Sequence, residues 1–371
     1  MQIIILPFFY FLFSFRPVRK SRVVFADSHN NTMPFSMKYL HQELERSGNY
    51  EIINFLHCFN TKSVIKSLLI SIKFMWIYAS AGTVIICDYF LPVASCRKKQ
   101  ATTVVQLWHS GGLLKKFAYD APDDIPPSYL GDVFANYDYI TISAPACRPI
   151  LARAMRMPEE KFLTTGISRT DVYFASAFLQ SCRADFYKKY PQAQGKHIVL
   201  WAPTFRGNAA NPFLCGEESI LQLQAQLPEE YFLIYSLHPH LKHISIVQDC
   251  GIQTERLLPV TDLLITDYSS VLFDYLLFEK PFILFAPDWQ EYSQRRGFYI
   301  DYTSLPGQVV TDGTQLLTAV CTAAQKFDSA AVSKARQYHM EYCDGKATNA
   351  ILQFILNKQV SNHEKNYSKI S

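Results

Sequence analysis

The sequence predicts an α/β protein of two domains, each built on a parallel sheet with helices on both faces. Three observations predict this. Short apolar runs alternate with longer helical patterns through most of the chain, the order that produces parallel sheets. A length of 371 residues is long for one compact domain and comfortable for two. Hydrophobic residues make up 49% and charged residues 18%, so each half can bury a core and disorder is not the expected state.

The elements follow in order. Ile3 to Phe15 is almost wholly apolar and is followed by Arg16, Arg19, Lys20 and Arg22. Thirteen residues are short for a spanning helix, and a secretory signal would place its positive charges before the apolar run. Two readings stand: a first strand or helix packed into the core, or a peripheral membrane contact. Strands are expected at 22–26, 50–55, 83–87, 104–108 and 139–143, then at 197–201, 232–236, 263–266 and 282–285. Helical patterns fall at 34–46, 62–81, 144–156, 219–226 and 271–278. The pattern over 62–81 carries Lys62, Lys66 and Lys73 beside large apolar residues and Trp76. It fits a core helix with lysines at its rim or a basic helix lying on a membrane. A polar stretch near Ser176–Lys196, with Pro191 and Gly195, marks the break. It gives an N-terminal domain over 1–180 and a C-terminal domain over 190–358. A cleft between two such domains would receive ligands at the carboxyl ends of the strands.

Bulk properties exclude several classes. A net charge of +4 without a concentrated basic stripe argues against a nucleic-acid binder. Nine cysteines without a C-x-x-C pair give neither a zinc site nor a disulfide framework, and point to buried thiols in a reducing compartment. There is no D-x-D pair and no P-loop, so neither a dedicated metal site nor a cofactor is expected.

Four segments carry candidate chemistry, each just past an expected strand. Leu263–Asp274 places Asp267, Ser269 and Ser270 where a strand gives way to a helix. They either cap that helix or form an anion site at its free N–H groups. His238-Pro239-His240 puts a histidine at a strand end, with Lys242 and His243 behind it. His238 can donate to a phosphate or protonate it as it leaves, or simply bond the loop backbone. In Trp201–Asn208, Arg206 suits bidentate contact with a pyrophosphate, the alternative being a surface ion pair. Val104–Phe117 sets His109 beside the Gly111–Gly112 turn. An imidazole there can take a proton from an attacking hydroxyl or bond the turn, and the glycines let backbone approach a ligand closely. Lys115 and Lys116 meet acceptor phosphates on one reading and are solvated on the other.

Taken together these segments resemble the CDP-glycerol glycerophosphotransferase family of teichoic-acid and capsule synthesis. The resemblance runs from about Thr102 to Tyr302. It includes W-H and L-K-K-F (Trp108–Phe117), T-G-x-x-R-T-D (Thr165–Asp171), W-A-P-T-F-R (Trp201–Arg206) and H-P (His238–Pro239). It continues through L-I-T-D-Y-S-S (Leu264–Ser270), E-K-P (Glu279–Pro281), and E-Y with R-G-F-Y-x-D (Glu291, Tyr292, Arg296–Asp301). Two positions depart from the family pattern on the acceptor side: Ser110-Gly111-Gly112 after the histidine, and Ser168 where proline is common.

The resemblance implies a GT-B-like fold, with the donor in the C-terminal domain and the acceptor reached from the N-terminal one. It implies that His109 is the catalytic base and that Arg206 and His238 hold the donor pyrophosphate. Asp267, Ser269 and Ser270 would bind the donor's alcohol phosphate end, with Asp267 accepting a hydroxyl. Arg169, Lys115, Glu291 and Arg296 would complete substrate binding. The expected reaction moves glycerol phosphate, or a related polyol phosphate, from CDP-glycerol or CDP-ribitol to a hydroxyl of a lipid-linked glycan or polymer, and CMP leaves. The enzyme would sit peripherally on the cytoplasmic face of the cell membrane. Two rivals stand beside it: a nucleotide-sugar glycosyltransferase of the same fold, and a non-catalytic binder of lipid-linked polymer.

Overall fold

A computed structural model describes residues 2–59, 63–121, 124–125, 129–207, 211–237, 241 and 245–355. The chain divides into two compact units. Unit 1 comprises Met1–His109, Phe117–Val172 and Glu341–Ser371; unit 2 comprises Ser110–Lys116 and Tyr173–Met340.

Unit 1 begins with helix α1 (Ile5–Phe13). It continues through β1 (Arg19–Asp27), α2 (Phe35–Ser47), β2 (Glu51–Leu56), α3 (Val64–Tyr78), β3 (Ala81–Ile86) and the short α4 (Leu91–Ala94). It closes with β4 (Thr103–Gln106), β5 (Tyr139–Thr141), α5 (Arg148–Met155) and β6 (Phe162–Leu163). The six strands form one sheet in the order β2-β1-β3-β4-β5-β6, and every pairing is parallel. Every residue of β3 is buried, as expected of a strand covered on both faces. The N-terminal apolar run is a helix, not a strand. Leu6 and Tyr10 are buried while Ile4, Phe8, Phe11, Leu12 and Phe15 are exposed, so one edge alone is packed. That edge meets α3, where Tyr10 contacts Tyr78 at a centroid distance of 5.2 Å and Phe13 meets Trp76 at 5.1 Å.

Unit 2 continues with α6 (Ser176–Lys189), β7 (His197–Trp201), the two-residue ribbon β8 (Arg206–Gly207) and β9 (Pro212–Phe213), α7 (Glu217–Gln226) and β10 (Tyr231–Tyr235). Then come α8 (Thr254–Leu257), β11 (Leu263–Thr266), α9 (Val271–Leu276), β12 (Phe282–Phe285), α10 (Trp289–Arg295), β13 (Gln308–Val310), α11 (Leu316–Thr322) and α12 (Ser329–Met340). Its five-stranded sheet is parallel throughout, in the order β10-β7-β11-β12-β13. Val199, Trp201, Ile265, Ile283 and Phe285 pack with Ile220, Leu223, Leu316 and Val320 on one face. Where composition suggests a polar break over 176–196, the chain forms α6, of which only Cys182 and Phe186 are buried.

After unit 2 the chain returns to unit 1 in a helix over 347–355. Asp171 receives its first N–H groups, from Ala347 at 3.1 Å and Thr348 at 2.7 Å, and Ser168 bonds the Thr348 hydroxyl at 2.9 Å. Burial pushes the Asp171 carboxyl above its ordinary value, against those N–H groups. Gly166, at φ +79°, is required here, because a β-carbon would fall 2.1 Å from the Tyr342 carbonyl oxygen.

The two strand orders reverse direction once each. Unit 1 switches between β1 and β3, and unit 2 between β7 and β11. The carboxyl ends of strands flanking such a switch are where open α/β sheets bind ligands.

Candidate active site

In unit 1 the ends of β1, β3 and β4 bring together Asp27, His29, Cys87, Asp88 and His109. His109 Nδ1 lies 3.2 Å from the Cys87 carbonyl oxygen and 3.8 Å from Asp88 Oδ1. A carbonyl only accepts, so in the neutral imidazole this contact favours the proton on Nδ1 and leaves the lone pair on Nε2. The imidazole is 45% exposed, enough to be reached by a substrate. Its backbone is held firmly. Buried Gln106 donates from Nε2 to the Asp88 carbonyl at 3.0 Å and accepts the Trp108 N–H at 3.1 Å. Trp108 takes φ +57°, a left-handed conformation that costs a bulky residue on the order of 1–3 kcal/mol. Asp27 accepts the N–H groups of His29 at 2.8 Å and Asn30 at 2.6 Å. Burial pushes the Cys87 thiol far up, Asp27 and Asp88 add to that, and Arg169 opposes it. Arg169 is itself buried.

In unit 2 the ends of β7, β11 and β12 converge on Arg206. Its Nε and Nη2 donate to the two oxygens of Asp288 at 2.6 and 3.0 Å. Nη1 donates to the Thr204 carbonyl at 2.6 Å and lies 2.9 Å from Asp267 Oδ2. The rings of Tyr268 and Tyr292 stand 4.8 and 5.0 Å from the guanidinium carbon, within cation–π range. Burial opposes the charge on Arg206, but the Asp288 and Asp267 carboxylates outweigh it and raise its pKa. Burial also acts on Asp288, yet Arg206 overcomes it and holds that carboxyl below the usual range. Asp267 is equally engaged: its Oδ1 accepts the N–H groups of Thr204 at 2.8 Å and Tyr268 at 2.6 Å. Asp267 thus ties two strand ends together and does not cap α9. Ser269 Oγ accepts a long 3.4 Å bond from Val271 N–H, and Ser270 makes no side-chain cap.

Lys115 and Arg296 also come together in unit 2. Lys115 pairs with Phe298 in an antiparallel bridge, Tyr299 N–H reaches the Leu114 carbonyl at 2.8 Å, and Arg296 Nε donates to the Lys116 carbonyl at 2.7 Å. Gly112 serves the same segment. At φ +62°, its missing β-carbon leaves room for the Phe273 ring, 2.3 Å from where that carbon would sit. The close approach expected at this glycine is to a side chain of the protein. Glu291 is exposed in the first turn of α10. His238, Pro239, His240, Lys242 and His243 lie outside the described residues.

The residues that sequence reasoning misses are Asp88, Gln106 and Asp288. Asp88 and Asp288 follow β3 and β12 as Cys87-Asp88 and Pro287-Asp288, so a search for polar residues just past every buried strand finds both. Glu279 and Lys280 of the E-K-P segment do structural work: Glu279 pairs with Arg336 at 2.7 Å, and Lys280 donates to the Thr261 carbonyl at 2.6 Å.

Comparison with known proteins matches residues 8–357 to the family model CDP-glycerol:poly(glycerophosphate) glycerophosphotransferase. A teichoic acid ribitol-phosphate primase of Bacillus spizizenii is 28% identical over 91% of this chain and 92% of its own length. A teichoic acid poly(ribitol-phosphate) polymerase of the same organism is 28% identical over 94% of this chain, which spans 58% of that protein's length. The solved structure of the wall teichoic acid polymerase TagF superimposes with a TM-score of 0.76, at 22% identity, over 96% of this chain and 94% of that one; it supports the two-sheet α/β fold. The chain belongs to the CDP-glycerol:poly(glycerophosphate) glycerophosphotransferase family, and it is a transferase of that class.

Proposed function

We propose that this enzyme transfers glycerol phosphate, or a related polyol phosphate such as ribitol phosphate, from a CDP-activated donor to a hydroxyl of a membrane-associated, lipid-linked glycan or polyol-phosphate polymer, releasing CMP. Family membership and the teichoic acid relatives support the reaction class. The observation that carries the mechanism is His109: its Nδ1 is committed to the Cys87 carbonyl, and its opposite nitrogen is left as a base on a rigid strand end. In this reading His109 takes the proton of the acceptor hydroxyl as that oxygen attacks the donor phosphorus. Unit 2 receives the donor near Ser269 and Ser270. Arg206 acts there by fixing Asp267 and Asp288, and the aromatic rings around them, in a charged frame.

A peripheral membrane contact is supported by the exposed faces of α1 and α3. Ile4, Phe8, Phe11, Phe15, Val64, Ile65 and Leu69 are each more than half exposed, with Lys66, Lys73 and Arg19 at the surface of the same unit. No helix among the described residues is long and apolar enough to cross a membrane.

The test incubates the purified enzyme with CDP-glycerol or CDP-ribitol and a lipid-linked acceptor, and follows product mass and released nucleotide. Products heavier by one or more polyol-phosphate units, with equimolar CMP, are expected. Release of a nucleoside diphosphate would instead favour glycosyl transfer. His109→Ala should lower turnover by about 10²-fold or more while donor binding persists; retained turnover with lost donor binding would reverse the assignment.

A further inference from the structure

We propose that Asp88 is the positioning residue for His109, the middle member of a row His29–Asp88–His109; this rests on the reading of His109 as the base. The three residues follow β1, β3 and β4, neighbours in the sheet on either side of its switch point. Asp88 turns one oxygen to each imidazole: Oδ1 lies 3.8 Å from His109 Nδ1, and Oδ2 lies 3.9 Å from His29 Nε2. Its backbone takes part as well, because the Gln106 amide that fixes Trp108 also holds the Asp88 carbonyl. One buried side chain therefore sets the spacing between the carboxylate and the histidine. Such a clamp, next to a left-handed tryptophan, is costly unless the placement of His109 matters.

The chemistry gives Asp88 two tasks. Before reaction it favours the tautomer with the proton on Nδ1, directed at the Cys87 carbonyl and the carboxylate. During reaction the acceptor oxygen forms its bond to the donor phosphorus and its proton passes to His109 Nε2. The bond from that phosphorus to the bridging oxygen breaks, and its electron pair leaves on CMP. The positive charge so created on the imidazole lies beside Asp88, which offsets it. Both side chains are partly exposed, 45% and 34%, so the effect is smaller than that of a fully buried pair. The Tyr89 N–H donates to Asp88 Oδ1 at 2.7 Å and fixes the carboxylate, while His29 flanks the second oxygen at 3.9 Å.

The experiment compares Asp88→Asn and Asp88→Glu in the full-length enzyme, alone and combined with His109→Ala. Melting temperatures confirm that each variant is folded. Asp88→Asn should lower kcat by about tenfold or more with the donor KM within about twofold, and Asp88→Glu should recover part of the loss. In the His109→Ala background, Asp88→Asn should cost less than about twofold, because its effect passes through the imidazole. Equal losses in both backgrounds would overturn the proposal, as would a fully active Asp88→Asn. If His109→Ala itself leaves turnover intact, the base assignment fails. The row is then judged by the ring ¹⁵N signals of His109, which must change tautomer population on Asp88→Asn for the positioning role to survive.

Discussion

Arg206 illustrates how much a single side chain can organise. Its guanidinium neutralises two carboxylates from different loops, the buried Asp267 and the partly buried Asp288, and both lose their counter-charge together if it is removed. Arg206→Met should therefore destabilise unit 2 by about 3–5 kcal/mol, the cost of leaving the buried Asp267 carboxylate uncompensated. Urea unfolding followed by the fluorescence of Trp201 and Trp289 would measure it. Loss of activity with unchanged stability would instead return Arg206 to direct phosphate contact. At this scale the sequence is half legible. That an arginine follows β7 and an aspartate follows β11 can be read from the motifs. That they bond each other, with Asp288 as third partner 82 residues away, cannot, because the pairing of β11 with β12 creates that neighbourhood.

Elements are read best where burial leaves one solution. The apolar runs at His197–Trp201, Leu263–Thr266 and Phe282–Phe285 coincide with β7, β11 and β12, because central parallel strands are apolar on both faces. Short edge pieces are silent: β6 has two residues and β13 has three, too few for any periodicity. Helix α6 reads as a break because it buries so little. The N-terminal run leaves two readings open because both faces of α1 are apolar, so pattern alone cannot say which face packs. The structure chooses the Leu6–Tyr10 edge and turns the rest outward. The exposed phenylalanines give the prediction that belongs to this scale. Replacing Phe8 and Phe11 together by serine should weaken binding to anionic lipid vesicles by about tenfold or more while soluble-donor binding is retained. Co-sedimentation would check it; undiminished vesicle binding would remove α1 from the membrane contact.

Across the whole molecule, the expected reagents are the chain's own histidines, carboxylates and hydroxyls. The sequence contains no D-x-D pair, and we expect turnover to persist in EDTA, measured as CMP released per acceptor extended; complete loss restored by one divalent cation would refute this. Both parallel sheets could be anticipated from strand–helix alternation, whereas the path between them could not. That path has a consequence of its own. Asp171 and Thr348 are bonded partners, although 177 positions separate them in the chain, and nearly everything between belongs to unit 2. The long segment of unit 2, Tyr173–Met340, is thus inserted between two parts of unit 1 that bond each other, while unit 2 takes a second, short segment from Ser110–Lys116. A gene shortened to end at Met340 would encode every strand of both sheets. It would still leave unit 1 with an unclasped Asp171, a Gly166 turn stripped of the Tyr342 carbonyl beside it and no closing helix, so unit 1 needs the far end of the chain although every one of its strands comes before unit 2's sheet.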